Sequence, residues 1–264
     1  MDLQIKGKRA VVTGSTAGIG FAIANRLAEE GAAVVVNGRT EARVEAAILK
    51  IRREHPAAEV SGVAADVSNA SGCGKIIARV PSAEIVINNM GIYDPKPFDK
   101  TSDEEWMRTF ESNVMSGVRL SRHYLDGMRE RNWGRIIFIS SESGVQIPAE
   151  MILYGVTKTA QVAVARGIAE TVAGTGITVN SVLVGPTRSE GAEIFMSRMR
   201  KQTGQDEATF EREFFKTVRP TSLLKRFTTI EEIADMVAFL SSPLASATNG
   251  AAVRADGGVV KAIL

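Results

Sequence analysis

The chain alternates, nearly end to end, between short runs rich in Val and Ile and longer segments whose apolar residues recur at helical spacing. The short runs are 9–13, 33–38, 59–66, 84–89, 134–140, 177–184 and 251–256, and most end in Gly, Asn, Asp or Ser. Several are apolar at consecutive positions, the pattern of strands buried on both faces. Between them, Ile19, Ile23 and Leu27 mark a helix face in 19–30, and Val44, Ile48 and Ile51 mark another in 41–54. Helical patterns also run over 103–131, 152–174 and 230–241, with Ser102 as N-cap to the first and acidic residues in its opening turn. This alternation restricts the chain to right-handed β-α-β crossovers, so an α/β fold is expected: a doubly wound parallel sheet of about seven strands with helices on both faces. No linker or repeat divides residues 1–264, which read as one domain. The exception to the alternation is 186–226. There Phe195, Met196, Met199, Phe210, Phe214 and Phe215 stand among many charges, and the segment reads as a helical lid over one sheet edge.

Charge and cysteine content remove several function classes. With 32 Lys and Arg against 30 Asp and Glu, the net charge is +2, so no nucleic acid and no membrane surface is expected as a partner. The single cysteine, Cys73, cannot close an internal disulfide, and no paired-cysteine metal motif exists; no metal is expected. The opening "MDLQIKGKRAVVTG" has no apolar leader, and no run reaches ~18 apolar residues. A cytoplasmic protein is expected.

The stretch "TGSTAGIG", Thr13 to Gly20, lies between the first strand and the first helix. Helix N-termini leave N–H groups unpaired and carry partial positive charge. Glycines let a pyrophosphate approach that end closely, although a tight strand-to-helix connection alone uses the same residues. The next strand ends "VNGRTE", with no acid at Asn37 or Gly38 and with Arg39 following. A carboxylate there would bind a ribose 2′-hydroxyl, whereas an arginine suits a 2′-phosphate. NADP is therefore favoured over NAD, unless Arg39 is simply solvated. Asp66 ends the third strand and can accept from an adenine amino group. "NNMG" ends the fourth, where Asn88 and Asn89 can pin loops and approach a cofactor.

"YGVTK" places Tyr154 and Lys158 on one helix face, four residues apart. A phenol normally titrates near ~10, and a neighbouring ammonium favours its ionised form. Such a phenol can give a proton to a carbonyl oxygen that is accepting hydride. Ser141, ending the strand "IIFISS", can supply a second hydrogen bond to that oxygen. A surface Tyr–Lys pair has the same spacing, so the weight lies in the conjunction with the glycine turn.

Taken together, "TGSTAGIG", Asp66, "NNMG", Asn113 in "ESNVMSG", Ser141 and "YGVTK" resemble the short-chain dehydrogenase/reductase family, in the family's order and over nearly the whole chain. The 13-residue step from Ser141 to Tyr154 is similar to that of the 3-oxoacyl-(acyl-carrier-protein) reductase-like members. The resemblance implies a Rossmann-like domain and a tetrad. Tyr154 is the general acid/base, and Lys158 binds the nicotinamide ribose and tunes the tyrosine. Ser141 orients the substrate carbonyl, and Asn113 interrupts a helix and holds a water. It implies cofactor contacts at Gly14, Ser15, Thr16, Gly18, Ile19 and Gly20 for the phosphates, Arg39 for the 2′-phosphate, and Asp66 and Val67 for adenine. Asn89, Gly91, Tyr154, Lys158 and Thr187 follow toward the nicotinamide. It also implies a homo-oligomer, tetramer or dimer. Two positions depart from the family pattern: Met90 replaces the usual Ala and crowds its loop, and "VGPT" displaces the proline after the sixth strand to Pro186.

The activity expected is NADP(H)-dependent interconversion of a carbonyl and a secondary alcohol. The Phe and Met of 186–226 suggest an apolar substrate, a 3-oxoacyl thioester first, with Arg188 at the pocket mouth able to pair with an anion. Sugar or steroid alcohol oxidation with NAD, and a non-catalytic dinucleotide sensor, are the alternatives.

Overall fold

Each of the seven Val- and Ile-rich runs is a strand in the computed structural model. The structure describes residues 1–263. The side chains of Ile194, Phe195, Arg198, Met199 and residues 201–203 lie outside the description, and with them the expectation placed on Phe195 and Met199. In chain order the strands are β1 (Arg9–Val12), β2 (Ala33–Gly38), β3 (Val60–Ala64), β4 (Ile85–Asn88), β5 (Gly134–Ser141), β6 (Ile177–Val184) and β7 (Ala252–Ala255). They pair in the order β3-β2-β1-β4-β5-β6-β7, and every pair is parallel. All residues of β2, β4, β5 and β6 are buried, which accounts for their unbroken apolar runs.

The helices are α1 (Gly18–Glu29), α2 (Glu41–Glu54), α3 (Ala70–Arg79), α4 (Asp103–Phe110), α5 (Ser116–Glu130), α6 (Ile152–Thr171), α7 (Glu190–Thr203), α8 (Glu207–Thr217) and α9 (Ile230–Leu240). Ile23 and Leu27 of α1, Ile51 of α2 and Val237 of α9 form the core on one sheet face. Ile76 of α3, Leu120 and Tyr124 of α5 and Ala165 of α6 form it on the other. Ser102 caps α4 in a reciprocal box with Glu105, as its sequence suggests. The helix pattern over 103–131 is broken by a π-turn at Glu111–Met115, between α4 and α5. Helix α3 had no counterpart in the sequence reading. Its "ASGCGK" start carries two glycines and looks like a loop, yet Asn69 caps it by accepting from the Gly72 amide.

Chain order reverses between β1 and β4, and at such a switch point the carboxyl ends of the strands open into a crevice. The glycine turn after β1, the "NNMG" loop after β4, Ser141 at the end of β5 and Thr187 after β6 all lie along that edge.

Candidate active site

The glycine turn is held from three sides. Gly14 and Gly18 have φ of +59° and +57°, the left-handed region that side chains resist. A Cβ on Gly20 would stand 2.4 Å from the Gly14 carbonyl oxygen and from Asn89 Nδ2, so α1 and the turn approach more closely than alanine allows. Ala17 gives α1 no side-chain cap, so its first amides take no bond from that residue's side chain. Ser15 turns inward: its hydroxyl donates to the Val12 carbonyl (2.6 Å) and accepts from the Asn37 amide (2.9 Å). Asn37 is buried; it accepts from Gly14 N–H at 3.1 Å and donates to the Val63 and Ala65 carbonyls. Asn89 Nδ2 donates to the Thr13 and Gly14 carbonyls, and Thr13 Oγ1 accepts from the Asn89 and Met90 amides. Asn89 thus pins the loops as expected. Asn88 instead donates to Ser121 on α5 and faces away from the crevice. Met90 packs against the core cluster that includes Val86 and Leu120 while still lining the crevice, so its bulk is absorbed there.

A groove of about 450 Å³ runs past this turn, lined by Gly14, Thr16, Gly18, Ile19, Gly20, Arg39, Arg43, Asp66, Val67, Asn89 and Gly91. Through Ile19, Asn89 and Gly91 it continues into a recess that holds Lys158, Ser140 and Thr187. That recess shares Ser141, Tyr154 and Thr187 with a cavity of about 630 Å³. Ser141 and Tyr154 therefore sit where the groove and the cavity meet. The glycine spacings, the uncapped helix start and Arg39 directly after β2, with no acid at Asn37 or Gly38, fit a phosphorylated dinucleotide, while Arg43 on α2 is ion-paired with Glu190 at 3.5 Å.

The tetrad residues are brought together with one addition. Lys158 Nζ donates to the Ile139 carbonyl (2.8 Å) and to Gln161 Oε1 (3.1 Å). Gln161 Nε2 in turn donates to the Asn113 carbonyl at 2.5 Å. The π-turn frees that carbonyl from the helix ladder, so the interruption implied at Asn113 is present. The Asn113 side chain clamps Ile92, accepting from its amide at 2.7 Å and donating to its carbonyl at 2.9 Å. Thr187 is buried; its hydroxyl donates to the Gly185 carbonyl and meets that of Thr228.

The electrostatics correct one expectation. Lys158 Nζ lies 5.4 Å from the Tyr154 ring centroid and is turned toward Ile139 and Gln161. Burial pushes its ammonium down to about 7. Burial first, and the negative charge of Glu142 second, push the Tyr154 phenol upward. The chain by itself thus holds the proton on Tyr154, because desolvation outweighs an ammonium that is not aimed at the phenol.

The cavity corrects one more. Arg188 is not free to meet an anion at the pocket mouth: it is ion-paired with Glu207 and, at 2.7 Å, with Glu211 on α8. Phe215 is core, packed with Met196, Phe210 and Phe227, while Phe214 and Phe227 reach the cavity wall. Glu142, Arg219, Gln161 and Tyr93 are given no role by the sequence, and Thr13 enters only as the start of the glycine stretch. Tyr93 packs edge-on to Tyr154 at 5.9 Å between centroids. Among the described residues no cluster of His, Cys, Asp and Glu could hold a metal, and no helix is long and apolar enough to cross a membrane.

Comparison with known proteins agrees with this architecture. The family model described as "Enoyl-(Acyl carrier protein) reductase" matches residues 14–260. The chain is 46% identical over 263 residues to the "Uncharacterized oxidoreductase YvaG" of Bacillus subtilis (strain 168), covering 100% of both. It is 28% identical to the "3-oxoacyl-[acyl-carrier-protein] reductase FabG" of Aquifex aeolicus (strain VF5), over 98% of this chain and 100% of the other. The solved L-sorbose reductase from Gluconobacter frateurii, complexed with NADPH and L-sorbose, superposes with a TM-score of 0.90 at 31% identity and full coverage of both chains.

Proposed function

Because the chain belongs to the short-chain dehydrogenase/reductase family, we propose that it is an NADP(H)-dependent oxidoreductase that interconverts a carbonyl compound and a secondary alcohol. The observation that carries this reading is the junction itself. Ser141 and Tyr154 border both the recess into which the Arg39 groove continues and the cavity under α7 and α8.

Bound NADPH supplies the hydride. Gly14, Thr16, Gly18, Ile19 and Gly20 receive its phosphates, with Ser15 shaping the turn through its buried hydroxyl. Arg39 meets the 2′-phosphate, Asp66 and Val67 flank the adenine, and Asn89, Gly91, Lys158 and Thr187 line the nicotinamide end. Tyr154, which burial and Glu142 keep protonated, suits the donor of the proton that a reduced carbonyl oxygen needs. Ser141 gives the same oxygen a second hydrogen bond. Lys158 is a positioning residue held by Ile139 and Gln161, and Asn113 fixes the Ile92 loop behind it.

The segment 186–226, with α7 and α8, serves as the substrate lid, its Phe214 and Met196 forming an apolar wall. Met107 and Phe110 on α4 and Val156 on α6 are exposed apolar side chains, which supports a homo-oligomer built through these helices. The test is a panel of ketones and aldehydes assayed with NADPH and with NADH. Oxidation of NADPH in preference to NADH by at least one carbonyl compound is expected. No oxidation of either coenzyme by folded protein that binds NADPH would overturn the reading.

A further inference from the structure

Glu142 follows the candidate serine directly and is buried, its side chain only 6% exposed. A carboxylate is rarely placed so without a partner. It has two. Its Oε2 meets the Ser141 hydroxyl in a short hydrogen bond, and its Oε1 accepts from Arg219 Nε at 3.0 Å. Arg219 follows α8 and is itself shared, with Glu150 at 3.6 Å from Nη1. Among the described residues that line the cavity, the charged ones are these three: two carboxylates against one guanidinium.

Two consequences follow. An ionised carboxylate only accepts, so the single Ser141 O–H points at Glu142, while the Ser143 amide donates to the serine oxygen at 3.1 Å. For Ser141 to serve a substrate carbonyl, its O–H must leave Glu142, and a buried carboxylate oxygen then lacks a donor. A hydroxyl on the carbon next to the substrate carbonyl restores one. A substrate carboxylate brings no donor and adds a third negative charge. We propose that Glu142 is a specificity-determining residue that reads a hydroxyl beside the carbonyl, so the substrate is a neutral α-hydroxy carbonyl compound and α-keto carboxylates are refused. The inference rests on the oxidoreductase reading above. Hydride from NADPH adds to the carbonyl carbon and a proton from Tyr154 to its oxygen, leaving a vicinal diol and NADP⁺.

The test uses one carbon skeleton in three forms: the methyl ketone, its hydroxymethyl ketone and the α-keto carboxylate. In the wild type, kcat/KM for the hydroxymethyl ketone is expected at roughly tenfold or more above the ketone, and for the carboxylate at roughly a tenth or less of it. Glu142→Gln keeps the shape and an acceptor but not the charge, so it should shrink the penalty on the carboxylate by about tenfold while NADPH still binds. The exposed Glu150→Gln should shrink it by about threefold, and it serves if the buried variant does not fold. Equal turnover of ketone and hydroxymethyl ketone, or a wild type that takes the carboxylate as well as the ketone, overturns the proposal. If none of the three is turned over, the redox reading is judged separately, on the wider carbonyl panel. Calorimetric titration of the same compounds onto NADP⁺-loaded protein then ranks them, and a ranking without preference overturns the proposal as well.

Discussion

Replacing Gln161 with Leu should damage both stability and turnover, although the side chain reaches neither groove nor cavity. Gln161 is 1% exposed and joins two buried groups, accepting from Lys158 Nζ at 3.1 Å and donating to the Asn113 carbonyl at 2.5 Å. Leucine fills the space and serves neither. A buried polar group left unpaired costs about 1–3 kcal/mol, and here there are two. Lys158 keeps its bond to the Ile139 carbonyl, which holds the sum near ~3 kcal/mol. For a chain of this size that lowers the melting temperature by about 6–12 °C. Gln161→Glu separates the two bonds. It returns an acceptor to Lys158 and places a negative charge beside it, which raises the lysine pKa, but it offers the Asn113 carbonyl no donor. Its melting temperature should fall between the other two, and the pH profile of kcat should move relative to the wild type. Thermal unfolding and kcat against pH, measured on the three proteins, check this. A Gln161→Leu protein that melts within ~1 °C of the wild type with an unchanged profile would refute the bridging role.

Three further outcomes are expected. Arg39→Ala should weaken NADPH by about 10–100-fold and leave NADH nearly unchanged, since it removes charge-assisted bonds to the 2′-phosphate alone; coenzyme titrations that show equal losses would remove Arg39 from that role. The cofactor-free protein should gain stability as pH rises. Lys158 is pushed down to about 7, so between that value and its ordinary ~10.4 the unfolded chain holds a proton the folded chain does not, at up to ~1.4 kcal/mol per pH unit. Above ~10 the raised Tyr154 reverses the slope, because the unfolded phenol ionises first. Melting curves from pH ~7 to ~10 should therefore climb, and Lys158→Met should flatten them; parallel slopes would show that the lysine is not the titrating group. Finally, Gly18→Ala, at φ +57°, should cost about 1 kcal/mol in stability and hinder the approach of phosphate, read as a lower melting temperature and weaker binding of both coenzymes.

Legibility in the sequence followed burial and periodicity. The five inner strands were readable because interior parallel strands leave Val and Ile runs, whereas the edge strands β3 and β7 are half exposed and showed only as short Val-containing runs ending in Asp; α2 was readable because Val44, Ile48 and Ile51 keep helical spacing and Pro56 follows. Helix α3 was not, because Gly72 and Gly74 masked its period, and nothing local announced the tight fit of Gly72 against the Asp66 carbonyl. In the site, Tyr154, Lys158 and Ser141 were legible from spacing. The neighbours that set their state were not. Glu142 and Gln161 look like ordinary surface residues until the fold buries them, and Arg219 reaches Glu142 from 77 positions away. The expected loosening of Tyr154 failed for the same reason: spacing shows that two side chains share a helix face, but not how dry their surroundings are.

On this mechanism the Tyr154 hydroxyl delivers the proton at the junction of groove and cavity. Single-turnover hydride transfer by Tyr154→Phe, with NADPH binding measured on the same sample, tests it most directly. NADPH affinity within about threefold of the wild type and a transfer rate lower by about 100–10,000-fold are expected. A transfer rate within about twofold of the wild type would contradict it.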